Sequence, residues 1–235
     1  MTQGAAPFTR PLTAQEAVLA QLRKEIVNGE LGPGSPIRQD AIAKRFGVSR
    51  VPVREALKIL EGEGQVLYRP HKGYLVAQLD FSEVQEIYHI RRILEEEALR
   101  FAVPNLTDEL VEALADLAAE MEATSPSDIE RMASLNRRFH FGFFEPSGMP
   151  RLVKQIRLLW DASDAYRAIY YMDEDQHATV HEEHGALIEA ARARDVERAI
   201  EVFATHRQHA LDHLKTVLET EEEATSEPGA SPDVQ

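Results

Sequence analysis

The sequence contains no cysteine, which excludes disulfides, thiolate metal sites and cysteine nucleophiles. No apolar run approaches the ~18 residues of a membrane span. The opening stretch MTQGAAPFTRPL lacks the apolar core of a signal peptide. The P-loop, the dinucleotide glycine motif and the G-x-S-x-G elbow are all missing too. The expectation is a soluble, cytoplasmic protein with no membrane contact and none of these nucleotide or acyl-transfer signatures.

With 235 residues, 43% hydrophobic and 28% charged, the chain can bury a real core in one large domain or two modest ones. Its net charge of -14 argues against a polyanion partner for the chain as a whole. The charge is unevenly spread, however. Residues 1–79 hold 11 Lys+Arg against 7 Asp+Glu, a net +4, whereas residues 80–235 hold 15 against 33, a net -18. A basic head on an acidic body is the asymmetry expected when only one part meets nucleic acid.

Residues 1–10 and 220–235 are small, polar or acidic and read as disordered ends. Residues 11–79 read as helices at about 14–28, 39–46 and 50–63, punctuated by Gly29, Gly32, Pro33, Gly34, Gly47 and Gly64. Two strands, 66–68 and 74–77, then flank the basic tip Arg69-Pro70-His71-Lys72-Gly73. Three short helices and a hairpin predict a winged helix-turn-helix. Residues 80–219 read as helices only, at about 81–102, 107–123, 128–144, 150–171, 173–194 and 196–219. Ser127-Asp128-Ile129-Glu130 has the capping-box form at the third of these. The fold class is thus mainly α: an N-terminal winged helix-turn-helix, then an all-helical antiparallel bundle.

The run Phe46 to Leu60 carries the sharpest signal. Gly47 permits a tight turn, Ser49 is placed as an N-cap for the next amides, and Pro52 falls in the first helical turn, where a missing N–H costs little. Val53, Leu57 and Leu60 make an inward stripe, and Arg50, Arg54 and Lys58 recur on another face. Exposed arginines at a helix N-terminus suit base edges and phosphates, because Arg binds guanine O6 and N7 bidentately. A merely solvated basic face is the alternative; the preceding helix, the turn and the basic wing weigh against it.

The stretch from Ile26 to Val76 resembles the winged-helix domain of GntR-family transcriptional regulators. The resemblance rests on Gly29-Glu30-Leu31-Gly32-Pro33-Gly34, on Gly47-Val48-Ser49-Arg50-Val51-Pro52-Val53-Arg54-Glu55-Ala56-Leu57 and on Leu60-Glu61-Gly62-Glu63-Gly64. Val51 stands where threonine is more usual. The resemblance implies DNA contacts from Ser49, Arg50 and Arg54, with His71, Lys72 and Gly73 of the wing at the minor groove or backbone. Arg38, before the second helix, is a phosphate-contact candidate.

Eight of nine histidines follow residue 80. On helix 128–144, Asn136 and His140 fall in the apolar stripe of Ile129, Met132, Phe139 and Phe143. His184 joins Val180, Leu187, Ile188 and Ala191, and His206 joins Ala199, Phe203 and Ala210. Inward polar groups are costly unless satisfied. A divalent metal would satisfy them, and so would a set of buried hydrogen-bonded histidines. Arg91 lies in the stripe of Val84, Ile87, Leu94, Ala98 and Phe101. An inward arginine is almost never unpaired; it either bridges to Glu95 or Asp164 or clamps an effector carboxylate, with Tyr166, Arg167 and Tyr170 in the same cavity.

Residues 80–219 resemble the all-helical FCD effector domain of the FadR branch of GntR regulators, through Ile90-Arg91-Arg92-Ile93-Leu94-Glu95, Leu135-Asn136-Arg137-Arg138-Phe139-His140, Glu183-His184-Gly185-Ala186-Leu187-Ile188 and Arg194-Asp195 followed by His206. That resemblance implies a divalent metal, zinc first with nickel or manganese as alternatives, held by Asn136, His140, His184 and His206. Asn136 is neutral where many relatives carry aspartate. His177, His181, His209 and His213 are candidates to substitute for a ligand or to support one from behind. The expected function is a homodimeric DNA-binding transcription regulator, a repressor, whose affinity for operator DNA responds to a small carboxylate. The competing readings are a metal-dependent helical-bundle enzyme and a regulator with a purely structural metal.

Overall fold

The computed structural model describes residues 11–78, 81–163, 166 and 174–226, with side chains in the last stretch from 178 to 218. Helix α1 (Ala14–Val27) opens on a capping box: the Thr13 hydroxyl accepts the Glu16 N–H at 3.2 Å, and the Glu16 carboxylate accepts the Thr13 N–H at 2.7 Å. Its buried Val18, Leu22 and Ile26 recur once per helical turn. A two-residue strand β1 (Pro36–Ile37) follows. It is too short to show the alternation that marks a strand in sequence.

Helices α2 (Gln39–Phe46) and α3 (Arg50–Gly62) are joined through Gly47 at φ 64°, ψ 30°, a left-handed conformation that penalises a Cβ. Strands β2 (Val66–Arg69) and β3 (Gly73–Val76) form the wing, and the antiparallel sheet has the order β1-β3-β2. Tyr74 pairs with Ile37 on one side and Tyr68 on the other. Val53, Ala56, Leu57 and Leu60 of α3 close the core under α1, each at 0% exposure, so α3 has one face fully committed and the opposite face free.

The bundle comprises α4 (Phe81–Ala102), α5 (Asp108–Glu122), α6 (Ile129–Phe144), α7 (Pro150–Ala162), α8 (Glu174–Ala193) and α9 (Val196–Ser226). Helix α5 packs on α6 and α8, α9 on α8 and α4, and α4 on α6 and α7. Leu99, Leu114, Phe139, Phe143, Phe144, Ile156 and Phe203 fill its centre. A Cβ at Gly142 would lie 2.5 Å from Leu114 Cδ2, so glycine there sets how closely α5 approaches α6. The two parts of the chain meet where Lys24 of α1 pairs with Glu130 of α6 at 2.5 Å.

Four local expectations are corrected. Asp128, not Ser127, caps α6, accepting the Arg131 N–H at 3.1 Å; its carboxylate reaches the N3 amide directly. Helix α7 stops at Ala162 rather than 171, because Ser163 turns its hydroxyl back onto the carbonyls of Leu159 and Trp160 at 3.1 and 3.2 Å. The last helix runs into the segment read as a disordered tail, reaching Ser226; that segment is acidic, but Glu and Ala are strong helix formers. On α4 the buried line is Val84, Tyr88, Arg91, Glu95, Ala98, Leu99 and Ala102. Phe101 is 47% exposed instead, since α4 turns a stripe containing two charged residues toward the centre.

Candidate functional site

Helix α3 presents Arg50, Val51, Arg54 and Lys58 to solvent. Arg50 forms an ion pair with Asp40, and Arg54 and Lys58 lie 3.8 and 3.5 Å from Glu55. Exposed pairs of this kind contribute little, so phosphates can replace the carboxylates. Asp40 is two residues from Arg38, which is exposed at the N-cap of α2, so the Arg50–Asp40 pair brings the starts of α2 and α3 together.

Ser49 does stand at the N-cap of α3, yet its side chain makes no capping hydrogen bond. Pro52 at N3 has no N–H to donate, which removes one of the two amides an N-cap side chain can accept from. The exposed hydroxyl is thereby left for other partners. In the wing, Lys72 N–H closes a turn on the Arg69 carbonyl at 3.1 Å. His71 at φ 66° and Gly73 at φ 82° shape its tip, and His71 and Lys72 are exposed. Sequence reasoning passed over two exposed apolar groups here, Val51 at 56% and Tyr68 at 52%; such groups on a DNA-reading surface can touch a thymine methyl or a sugar.

The second constellation lies inside the bundle. His140 from α6, His184 from α8 and His206 from α9 are buried, and one ring nitrogen of each lies within 4.8 Å of the others. Asn136, one turn before His140, is buried beside them. Burial, and then the neighbouring His206 and His181, hold His184 well below 6.5, so its imidazole is neutral, the form that ligates metal. Its Nε2 is buried with no hydrogen-bond partner among the described residues, an orphan that a bound ion would satisfy.

His206 Nδ1 shares a 2.6 Å hydrogen bond with Glu183 Oε2, and His209 Nδ1 shares one of 2.5 Å with Glu183 Oε1. A carboxylate behind a histidine fixes its tautomer and directs the other nitrogen inward. Sequence reading did not single out Glu183: it immediately precedes His184, and neighbours on a helix point in different directions. The same carboxylate gives His209 its place behind the cluster. His181 is exposed and lies 3.5 Å from Glu122. The side chain of His177 lies outside the described residues.

Beside the histidines, Arg91, Glu95 and Arg207 line a cavity of about 30 Å³. Arg91 makes the internal ion pair, Nε to Glu95 Oε1 at 2.9 Å, and its guanidinium lies 4.4 Å from the Trp160 ring centroid and 4.7 Å from that of Tyr88. Trp160 Nε1 donates to the same Oε1 at 2.8 Å, and Arg207 Nε donates to Oε2 at 3.0 Å. Burial alone would raise the Glu95 carboxyl, but Arg91 and Arg207 overcome it and hold the group ionised, below 4.5. Tyr166 is buried in a cluster with Val84, Tyr88 and Leu214. Arg167, Tyr170 and the alternative partner Asp164 lie outside the described residues. A roomier cavity of about 330 Å³ adjoins Asn136 and His184, with Met121 and Met132 in its wall.

Comparison with known proteins places both halves. Residues 14–76 match the family "Bacterial regulatory proteins, gntR family", and residues 86–209 match the FCD domain. The chain is 31% identical over 201 residues to the HTH-type transcriptional regulator YdhC of Bacillus subtilis (strain 168), spanning 85% of this chain and 90% of that protein. It is 28% identical over 209 residues to the HTH-type transcriptional repressor GlaR of Escherichia coli (strain K12), covering 83% and 92% of the two chains. Its fold matches the solved structure of E. coli McbR/YncC with a TM-score of 0.77 at 26% identity, over 88% of this chain and 99% of that one. These relatives regulate transcription, which sets aside the reading as a metal-dependent enzyme. The chain belongs to the GntR family of bacterial regulatory proteins, in the group that carries an FCD domain, and is a DNA-binding transcription regulator.

Proposed function

We propose that the protein is a homodimeric repressor whose grip on operator DNA is set by a small carboxylate bound in the FCD domain next to a divalent metal. The observation that carries this reading is the convergence of His140, His184 and His206 within 4.8 Å, the first and last of them in a wall shared with a buried arginine. Asn136 and the three histidines would hold the ion, zinc in the first place given an all-nitrogen histidine set. Bound there, the metal would supply a Lewis-acid face for an effector oxygen.

Arg91 is the carboxylate clamp in this reading, with Tyr166, Arg167 and Tyr170 as further effector-site candidates. Ser49, Arg50 and Arg54 read bases in the major groove, while Arg38, His71, Lys72 and Gly73 engage backbone or minor groove. A two-fold dimer would present two copies of α3 to a palindromic site. Effector binding need only favour the dimer geometry that mismatches the half-sites. The repressor role draws support from GlaR, which is named for repression.

The test is a gel-shift titration of a selected operator with the full chain, run across a panel of small organic acids, with and without chelation of the metal. Release by an acid only while metal is retained is the expected result. Operator binding that is indifferent to every acid and to chelation would make the histidine centre purely structural.

A further inference from the structure

Glu95 is shared by two arginines and neutralises only one unit of their charge. It takes Nε from each, at 2.9 Å from Arg91 and 3.0 Å from Arg207. Each guanidinium then keeps one nitrogen, Nη1 of Arg91 and Nη2 of Arg207, buried and without a hydrogen-bond partner among the described residues. The two arginines are only 5% and 6% exposed, and both line the same cavity of about 30 Å³. Among the described residues, Glu95 is the only acidic side chain in that lining. Buried donors without acceptors are rare, and an uncompensated buried charge is rarer. Here two such donors and one such charge share one small space.

We infer that Arg207 and Arg91 together form a two-guanidinium clamp for the carboxylate of a small organic acid, with Glu95 as the positioning residue that holds both by their Nε atoms. The inference rests on the effector reading above, to which it adds a second anion-binding residue and the glutamate that positions both. The counts agree. Two unpartnered donor groups match the two oxygens of one carboxylate, and one surplus positive charge matches its single negative charge. The space suffices for one or two water-sized groups, which suits a planar carboxylate better than a tetrahedral phosphate. His140 and His206 line the same cavity, so an acid held there lies beside the histidine centre.

The experiment is equilibrium dialysis of the full-length chain as purified against radiolabelled acetate, at ionic strength held constant with chloride. Wild type is compared with Arg91→Gln and Arg207→Lys, with metal content and melting temperature recorded for each. Lysine keeps the ion pair to Glu95, and so the fold, but has no second nitrogen to offer. Wild type should bind acetate, and Arg207→Lys should bind it about tenfold more weakly or worse, the loss of one charge-assisted hydrogen bond, at unchanged metal content. Wild-type affinity in Arg207→Lys, with acetate binding lost in Arg91→Gln, overturns the role of Arg207 and leaves the effector reading standing. Loss of metal together with acetate in Arg207→Lys also overturns it, since the residue would then act through His206. No acetate bound by wild type overturns the clamp and the Arg91 effector reading alike.

Discussion

Replacing Glu95 by glutamine tests the buried charge cluster most severely. The carboxylate receives three donors, from Arg91 and Trp160 on Oε1 and from Arg207 on Oε2. Glutamine keeps one oxygen and turns the other position into an amide donor, which opposes one of those N–H groups and leaves two buried guanidinium charges without a counter-ion. Removing one partner of a buried ion pair costs about 3–5 kcal/mol. At ~2–4 °C per kcal/mol for a chain of this size, the melting temperature should fall by roughly 6–20 °C. Circular dichroism melts read this directly, with Glu96→Gln as the comparison. Glu96 makes a partly exposed pair with Arg92 at 3.2 Å, and its loss should cost about 0.5 kcal/mol or less. Acidity adds a second signature. Because the folded Glu95 carboxyl is held below its ordinary value of 4.5, its stabilisation is present above that pH and is lost as the pH falls through the depressed value. The gap between wild type and Glu95→Gln should therefore narrow below pH 4.5. A variant that melts within about 1 kcal/mol of wild type at neutral pH would refute the reasoning.

Other expectations follow from single contacts. Gly142→Ala should destabilise the bundle by about 1–3 kcal/mol, because its Cβ would meet Leu114 at 2.5 Å; urea denaturation checks this. Lys72→Ala in the wing should weaken all DNA sequences evenly and flatten the salt dependence of binding, seen in anisotropy titrations at several salt concentrations. Elemental analysis should find about one divalent ion per chain and its loss in His184→Ala, because only two histidines and a neutral asparagine would remain to hold it. Trp160, the single tryptophan, donates to Glu95 at 2.8 Å, so its emission should shift when an acid enters the neighbouring cavity and stay unchanged in Arg91→Gln.

Much of this was legible in the sequence because periodicity reports burial. The spacing of Val53, Leu57 and Leu60 foretold which face of α3 is hidden, and that settled where Arg50 and Arg54 point. The inward stripes of α6, α8 and α9 likewise brought His140, His184 and His206 together before any coordinates. Periodicity carries no information about pairing between helices distant in sequence. Glu95 and Arg207 are 112 positions apart, and nothing local in the sequence says that they share a hydrogen bond. Glu183 was missed for a related reason, since its value lies in what α9 presents to it. The absent cap at Ser49 was readable after all: Pro52 at N3 had already removed one donor.

Reading of a symmetric operator by Arg50 and Arg54 of α3 is tested most directly by selecting binding sites from random duplex DNA with the full-length chain and titrating the selected site with Arg50→Ala and Arg54→Ala at fixed salt. Enrichment of a two-fold symmetric sequence is expected, with each variant losing about 1–3 kcal/mol of affinity for it while non-specific binding changes little. Selection of no consensus, or unchanged affinity of both variants for the selected site, would contradict the account.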